Sequence, residues 1–377
     1  MWLLLPVIVC GQDIQVGAEC TDEYFPLIKG KRVAVMSNHT GMVGSEHLVD
    51  MLRREGFNLT AIFSPEHGFR GNAEAGAHIS DTVDKKTGVA VYSLYGSKNA
   101  KPDKQKMLLF DVLIVDIQDV GLRFYTYYIT MMRLMDACAE YRKPVIVLDR
   151  PNPNGCYVDG PLLDMKHKSG VGGLPIPIVH GMTLGELALM VNGEKWLPEG
   201  RVCALSVIKC RNYTRNSLYR LPVAPSPNLP NMKSVYLYPS ICLFEGTQAS
   251  LGRGTSFPFQ VYGHPDMRDC SFSFTPQSLP AAKNPPLLGK LCHGVDLRSL
   301  PDREIIDKGV DLSHIIDAYQ KMNIGKQFFT AFFEKLVGVD YVKTMIMEGK
   351  TAEEIKAVWQ DDVEKFKEQR RPYLLYE

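Results

Sequence analysis

Five short apolar runs lie in the first 150 residues: 32–37 (RVAVMS), 59–63 (LTAIF), 88–95 (GVAVYSLY), 111–116 (DVLIVD) and 144–148 (PVIVL). Each is rich in β-forming residues and bounded by turn residues, which predicts buried strands. Segments of helical periodicity separate them. Residues 47–55 place Leu48, Met51 and Leu52 at i, i+3, i+4 before Gly56, and 129–141 read as another helix. Continuous apolar strands alternating with helices predict a parallel sheet covered on both faces, an α/β, Rossmann-like architecture. Residues 176–179 are expected as a sixth strand, and Thr183 with Glu186 forms a capping box for a helix through Val191.

In such sheets the ligand sits outside the carboxyl ends of the strands. Those ends are chemically loaded here. Asn38 and His39 follow the first run, and Gln118, Asp119, Arg123, Tyr125 and Tyr127 follow the fourth. Asp149 and Arg150 follow the fifth. The second run empties into SPEHGFRG, residues 64–71. Pro65 ends that strand by removing a backbone donor, and Gly68 and Gly71 let the chain double back. A carboxylate (Glu66), an imidazole (His67) and a guanidinium (Arg70) thus reach one strand end within five residues.

Residues 221–231 (LPVAPSPNLPN) carry four prolines and predict a stiff, non-helical connector. The expected division is a leader at 1–20, a Rossmann-like catalytic domain at 21–225 and a smaller α+β domain at 226–377 that closes the cleft. The second domain opens with glycine-punctuated loops holding Glu245 and Arg253. A proline-rich irregular stretch follows, then helices at 312–322, 325–336 and 351–369, the last capped by Thr351 and Glu354.

Composition narrows the function class. At 377 residues with 45% hydrophobic and 23% charged content, the chain can bury a large core, and a net charge of +1 gives no reason to expect nucleic acid as partner. No stretch spans a bilayer. Nine cysteines without a CxxC pair suggest neither a disulfide framework nor a zinc site. The apolar residues 2–10 resemble an export leader, with Cys10 before Gly11 as a lipid-acceptor site. That predicts a periplasmic or secreted protein, with a cytoplasmic one as the alternative because no basic residue precedes the run.

No GxGxxG or GxxxxGK[ST] cradles a phosphate, and HExxH and GxSxG are absent, so no cofactor is expected. Glycoside hydrolysis fits what remains, since it needs one carboxylic acid to protonate the leaving oxygen and a second group for water or the anomeric carbon. Glu66, beside Phe69, is the candidate acid, with Asp119 and Glu245 as candidate second carboxylates. Arg123, Arg150 and Arg253 suit an anionic substrate group, because guanidinium grips carboxylate bidentately. Alone, each is more often a structural ion-pair partner. Tyr125 and Tyr127, two apart, share a face on which a sugar could stack. Two other readings stay open. One is a metal-dependent phospho- or amidohydrolase using Asp116, Asp119, His39 and His67; the other is a sugar-binding module without catalysis.

Four motifs in order, SPEHGFRG, DIQDVGLRFYTY, LDRPNP and FEGTQASLGRGT, resemble the exo-β-N-acetylmuramidase (NamZ-type) family, over residues 30–377. The resemblance implies a Rossmann-like domain with an active-site cleft and a smaller second domain; no ligand spacing in the sequence demands a metal, and none is expected. It implies release of N-acetylmuramic acid from the non-reducing end of peptidoglycan fragments, with disaccharide or muropeptide fragments as the small-molecule partner. The catalytic glutamate it implies falls on Glu66. Asn38, His39, His67, Arg70 and Gln118 join the arginines and tyrosines above as expected substrate contacts.

Overall fold

The apolar runs pair side by side, as their unbroken hydrophobicity requires. The computed structural model describes residues 13–65, 68–70, 81–94 and 101–377. Its first part holds β1 (Arg32–Ser37), a small hairpin of β2 (Met42–Val43) with β3 (Glu46–His47), then β4 (Asn58–Ser64), β5 (Thr82–Val83) and β6 (Ala90–Ser93). β7 (Val112–Asp116), β8 (Val145–Leu148) and β9 (Leu205–Ile208) follow. Helices α1 (Thr21–Ile28), α2 (Leu48–Arg54), α3 (Lys104–Met107), α4 (Tyr127–Glu140) and α5 (Leu184–Gly193) lie between them. The seven-stranded sheet runs β5-β6-β4-β1-β7-β8-β9, parallel throughout except for β5 against β6.

Without β5 this is the doubly wound order, in which the chain first builds outward from β1 through β4 and then returns to β1's other side with β7. The switch point lies between β1 and β7, where Ser37 is in register with Asp116. Two apolar layers cover the sheet. One packs Leu48, Val49 and Leu52 of α2 and Tyr24 and Ile28 of α1 against Val35 and Ile114. The other is a continuous core running from α4 and α5 into the second part of the chain.

Two expectations need correction. Residues 176–179 do not join the sheet; Val179 only bridges Leu122 and Asp159. The sixth parallel strand is β9, whose side chains are half exposed along most of its length. An edge strand with one face wet shows no unbroken apolar run, so the sequence pattern misses it. Residues 325–336 are not one helix but a 3₁₀ turn (Gly325–Phe328) followed by a short helix.

The second part contains α6 (Met232–Ile241), α7 (Asp302–Lys308), α8 (Ser313–Met322), α9 (Phe333–Val337), α10 (Tyr341–Met347) and α11 (Ala352–Arg370). Beside them lies an antiparallel sheet ordered β10 (Val261–His264), β12 (Cys292–Asp296), β11 (Phe272–Phe274), with α8 packed against β10.

Buried polar side chains join the two parts. Arg123 is fully buried. Its Nη1 donates to the carbonyls of Pro161 (2.7 Å) and Ile176 (2.9 Å), and its Nη2 to those of Leu336 (2.9 Å) and Val337 (2.8 Å). Asp159 accepts from Lys356 Nζ (2.5 Å), Trp359 Nε1 (2.9 Å) and the Val310 backbone (2.9 Å). Arg370 donates to the carbonyls of His180 and Gly181. Residues 374–377 return to the first part. There Leu375 N donates to Glu186 (2.7 Å) and Tyr376 Oη donates to Asp149 (2.7 Å) just past β8.

Candidate active site

The exits of β1 and β7 meet across the switch point. Asn38, fully buried, is held on both sides: its Oδ1 accepts from Thr40 N (2.9 Å) and Oγ1 (2.6 Å), and its Nδ2 donates to Tyr127 Oη (3.0 Å). Thr40 Oγ1 also accepts from the Gln118 backbone (2.9 Å), locking the two exits together. Gly41 is needed for this approach, because a Cβ there would lie 2.2 Å from Ser37 Oγ and 3.0 Å from Asp116 Oδ2.

His47 supports the same loop. Its Nδ1 accepts from Val49 N (3.2 Å), which leaves the proton on Nε2 to donate to the Asn38 carbonyl (2.8 Å). Burial lowers its pKa and keeps it neutral. Residue type alone carried no signal for this role.

Asp116 and Asp119 leave β7 into different surroundings. Asp116 is fully buried and gripped by Arg150, Nε to Oδ1 at 2.7 Å and Nη2 to Oδ2 at 3.1 Å. Arg150 Nη2 also reaches the Met42 carbonyl (2.8 Å). Asp119 has no such partner. Its Oδ1 accepts from Gly121 N (2.7 Å), while Oδ2 is buried and finds no hydrogen-bond partner among the described residues. Burial pushes its carboxyl up to about 7, opposed only by backbone N–H groups of Gly121 and Val120. The turn is built to hold it. Gly121 sits at φ +77° with Asn152 where a Cβ would be, and Asn152 and Asn154 fix the surrounding backbone through Met182 O and Val120 O.

The tyrosines reach the connector rather than standing free. Tyr125 Oη donates to the Pro225 carbonyl (2.8 Å), Tyr127 Oη lies 3.4 Å from the same oxygen, and His39 Nε2 is 2.9 Å from Ala224 O. Their rings pack edge to face at 4.7 Å. From there aromatic contacts step into the second part: Tyr125 to Tyr238 (6.2 Å), Tyr238 to Phe259 (4.8 Å), and Arg253 over Phe259 (5.0 Å). Arg253 pairs with Glu245, Nε at 2.9 Å and Nη2 at 2.5 Å from Oε1. One path of contacting side chains therefore links the β1 and β7 exits to the FEGT and GRGT loops.

Several expected substrate contacts have internal partners. Arg123 is wholly inside the seam, so its assignment to a substrate is corrected. Gln118 donates through Nε2 to the carbonyls of Asp119 and Pro151, both at 2.8 Å, and acts as a loop brace. Arg70 forms ion pairs with Asp50 (3.0 Å) and Asp84 (2.8 Å). Arg150 just past β8 and Arg253 in the GRGT loop each hold a carboxylate, Asp116 and Glu245 respectively. Glu66 and His67 lie outside the described residues. Of the residues flanking them, Gly68 N donates to the Pro65 carbonyl (3.3 Å). Among the described residues no group of three or more His, Cys, Asp or Glu side chains is gathered to hold a metal ion.

Family models complete this picture. The N-terminal model of the exo-β-N-acetylmuramidase NamZ matches residues 33–233, and the C-terminal model matches 236–376. The chain belongs to the NamZ family. A family relative, the peptidoglycan β-N-acetylmuramidase NamZ of Bacillus subtilis, is 40% identical over 94% of this chain and 89% of its own length. A crystal structure of a DUF1343 family protein from Bacteroides fragilis superposes with a TM-score of 0.92 at 65% identity, covering 97% of this chain and 99% of that one. A second from the same organism gives 0.82 at 28% identity with the same coverage. The NamZ models span both the doubly wound sheet and the second, smaller sheet. The switch-point cluster falls within the N-terminal match and the Glu245–Arg253 loops within the C-terminal one.

Proposed function

We propose that this chain is an exo-acting glycoside hydrolase that releases N-acetylmuramic acid from the non-reducing end of peptidoglycan fragments. Membership of the NamZ family gives the reaction class. The observation that carries the site is Asp119, a carboxyl at the switch point with one buried oxygen unpartnered among the described residues and a pKa near neutrality. A group poised there exchanges a proton with water or substrate at low cost. In this reading Glu66 protonates the leaving oxygen from the β4 exit, and Asp119 activates water from the β7 exit. Glu245 is the weaker choice for that second role, because Arg253 already holds its charge.

N-acetylmuramic acid differs from N-acetylglucosamine by a lactyl carboxylate, which a buried site must pair with a cation. Of the three arginines considered, Arg253 suits this best. Its hydrogen bonds to Glu245 run through Nε and Nη2, and its loop lies at the end of the aromatic path from Tyr125. In this reading export through a leader brings the reaction to the cell wall. Residues 1–12 lie outside the described residues. Residues 13–20, expected to belong to that leader, pack on the fold instead, with Gly17 N donating to the Asp149 carbonyl (2.8 Å) and Cys20 fully buried.

The test is hydrolysis of a chromogenic β-N-acetylmuramide beside the matching N-acetylglucosaminide. The muramide alone should turn over, and Arg253→Met should erode that preference about tenfold, a loss of ~1.4 kcal/mol, mainly through KM. Equal turnover of both sugars by the parent enzyme defeats the substrate reading. Undiminished preference in the variant moves lactyl recognition elsewhere.

A further inference from the structure

The proline-rich connector at 221–231 does more than join the two parts. The segment that leads into it crosses the carboxyl ends of the strands. Tyr213 Oη accepts from Asn152 N past β8 (3.3 Å), Ala224 O meets His39 past β1, and Pro225 O accepts from Tyr125 past β7. The connector's path is fixed. Leu229 N donates to the Ser226 carbonyl (2.9 Å), and buried Asn228 donates through Nδ2 to the Ala281 carbonyl (3.1 Å).

Two hollows border the connector and share Pro230. One, of about 260 Å³, reaches from Pro227 and Asn228 to Gly254 and Thr255 of the GRGT loop, and no charged side chain lines it. The turn at 279–282 gives it a further wall, tied to the GRGT loop where Gln277 N donates to the Gly254 carbonyl (2.7 Å). The other, of about 230 Å³, is lined by Ala224, Pro225 and Leu229 and contains Arg220, with no carboxylate in its wall. Each is just under the ~300 Å³ at which sites for whole small molecules begin, which suits one sugar unit apiece.

Arg220 differs from the arginines around it. Arg150 at the β8 exit, Arg215 in the crossing segment and Arg253 in the GRGT loop hold Asp116 (2.7 Å), Glu186 (2.7 Å) and Glu245 (2.5 Å) respectively. Arg220 is exposed in its hollow and, among the described residues, forms no ion pair or hydrogen bond. A guanidinium with its fork open is shaped for a carboxylate. Along this edge the order is therefore Arg253, a neutral hollow, then Arg220. A glycan of alternating N-acetylmuramic acid and N-acetylglucosamine repeats the same pattern, since only the first of these sugars carries a lactyl carboxylate.

We propose that the two hollows are subsites for the leaving side of the glycan. The neutral one takes the N-acetylglucosamine next to the scissile bond, and Arg220 pairs with the lactyl carboxylate of the following N-acetylmuramic acid. This rests on the reading of the chain as an exo-muramidase with Arg253 at the terminal sugar. The rigid connector sets the spacing of the two subsites before substrate arrives, so little ordering is needed on binding.

The test compares the disaccharide of N-acetylmuramic acid on N-acetylglucosamine, the tetrasaccharide of two such units, and that tetrasaccharide with its internal lactyl carboxyl amidated. The parent should cleave the free tetrasaccharide with kcat/KM ~3–5-fold above the disaccharide, through KM, which is the scale of an exposed ion pair. The amidated tetrasaccharide should behave as the disaccharide does. Arg220→Met should abolish the gain and Arg220→Glu should reverse it, with disaccharide turnover kept in both. Raised salt should shrink the parent's gain, because exposed charges are screened. Ser256→Trp, which fills the neutral hollow, should raise KM for all three oligosaccharides. Equal kcat/KM of the parent on disaccharide and free tetrasaccharide overturns the inference and leaves the muramidase reading standing. So does a gain that survives in Arg220→Glu, or an unchanged KM in Ser256→Trp. Failure of the parent to cleave any of the three defeats both.

Discussion

Two regions of this molecule bury charged side chains, and they treat them differently. At the seam between the two parts, Asp159 of the first receives three donors from the second, and Arg123 faces four carbonyls. Among the described residues Nε of Arg123 and of Arg370 lack partners, but each belongs to a guanidinium already placed against carbonyl oxygens. At the switch point Asp119 is equally buried, has no cation, and keeps a whole oxygen unpartnered among the described residues. Leaving a buried acceptor unmade costs ~1–3 kcal/mol, so a fold tolerates it where something else is to occupy it. At the joint each of these buried charges meets a countercharge or carbonyl oxygens; at the switch point Asp119 meets only backbone N–H.

Breaking each side of this contrast should give different phenotypes. The largest effect belongs to the strand ends. Glu66→Gln should lower turnover of a natural disaccharide by ~10²–10⁴-fold while the unfolding midpoint stays put. Single-turnover kinetics with denaturant melts on the same preparation would check both halves. Asp159→Ala should do the reverse. Removing one partner of a buried pair typically destabilises by ~3–5 kcal/mol, so urea unfolding should shift to lower concentration while kcat per folded molecule is retained. If that variant lost kcat without losing stability, the seam would be part of the catalytic machinery and the contrast would fail.

The smallest effect sharpens the comparison through pH. If Asp119 is the base, kcat falls up to tenfold per pH unit below about 7, as its carboxylate is protonated. Stability moves oppositely. A carboxyl whose folded pKa lies above its unfolded value of ~4 binds its proton more tightly when folded, so its contribution is favourable at low pH and is lost as pH rises from ~4 to about 7. The slope can reach ~1.4 kcal/mol per unit. Asp119→Asn should flatten both trends, read from pH–rate profiles and melts across that range. Asp149, raised to about 6 mainly by burial, adds a residual slope that the variant leaves in place.

Much of the sheet was legible because strands buried on both faces must be apolar without interruption. The runs at 32–37, 111–116 and 144–148 became β1, β7 and β8 with little change. β9, wet on one side, gave no such run, and the small β10–β12 sheet was hidden in a stretch that reads only as proline-rich. The loaded strand ends were visible as residue types, but their partners were not. Arg123 meets carbonyls more than two hundred residues away at Leu336 and Val337, and no local pattern encodes that. Equally, Asp119 and Asp116 look alike in DIQD, and only their surroundings make one an ion-pair anchor and the other a near-neutral acid.

The return of residues 374–377 to β8 bears on how the protein is made. Tyr376 and Leu375 complete hydrogen bonds to Asp149 and Glu186, which leave the ribosome more than two hundred and more than one hundred and eighty residues earlier, respectively. Domains ordinarily fold in the order they are synthesised. Here the sheet can assemble early, but the carboxyl end of β8 waits with two buried carboxylates short of donors until that last stretch arrives. While it is being made, the first part thus lacks two donors that only the far end of the second part supplies.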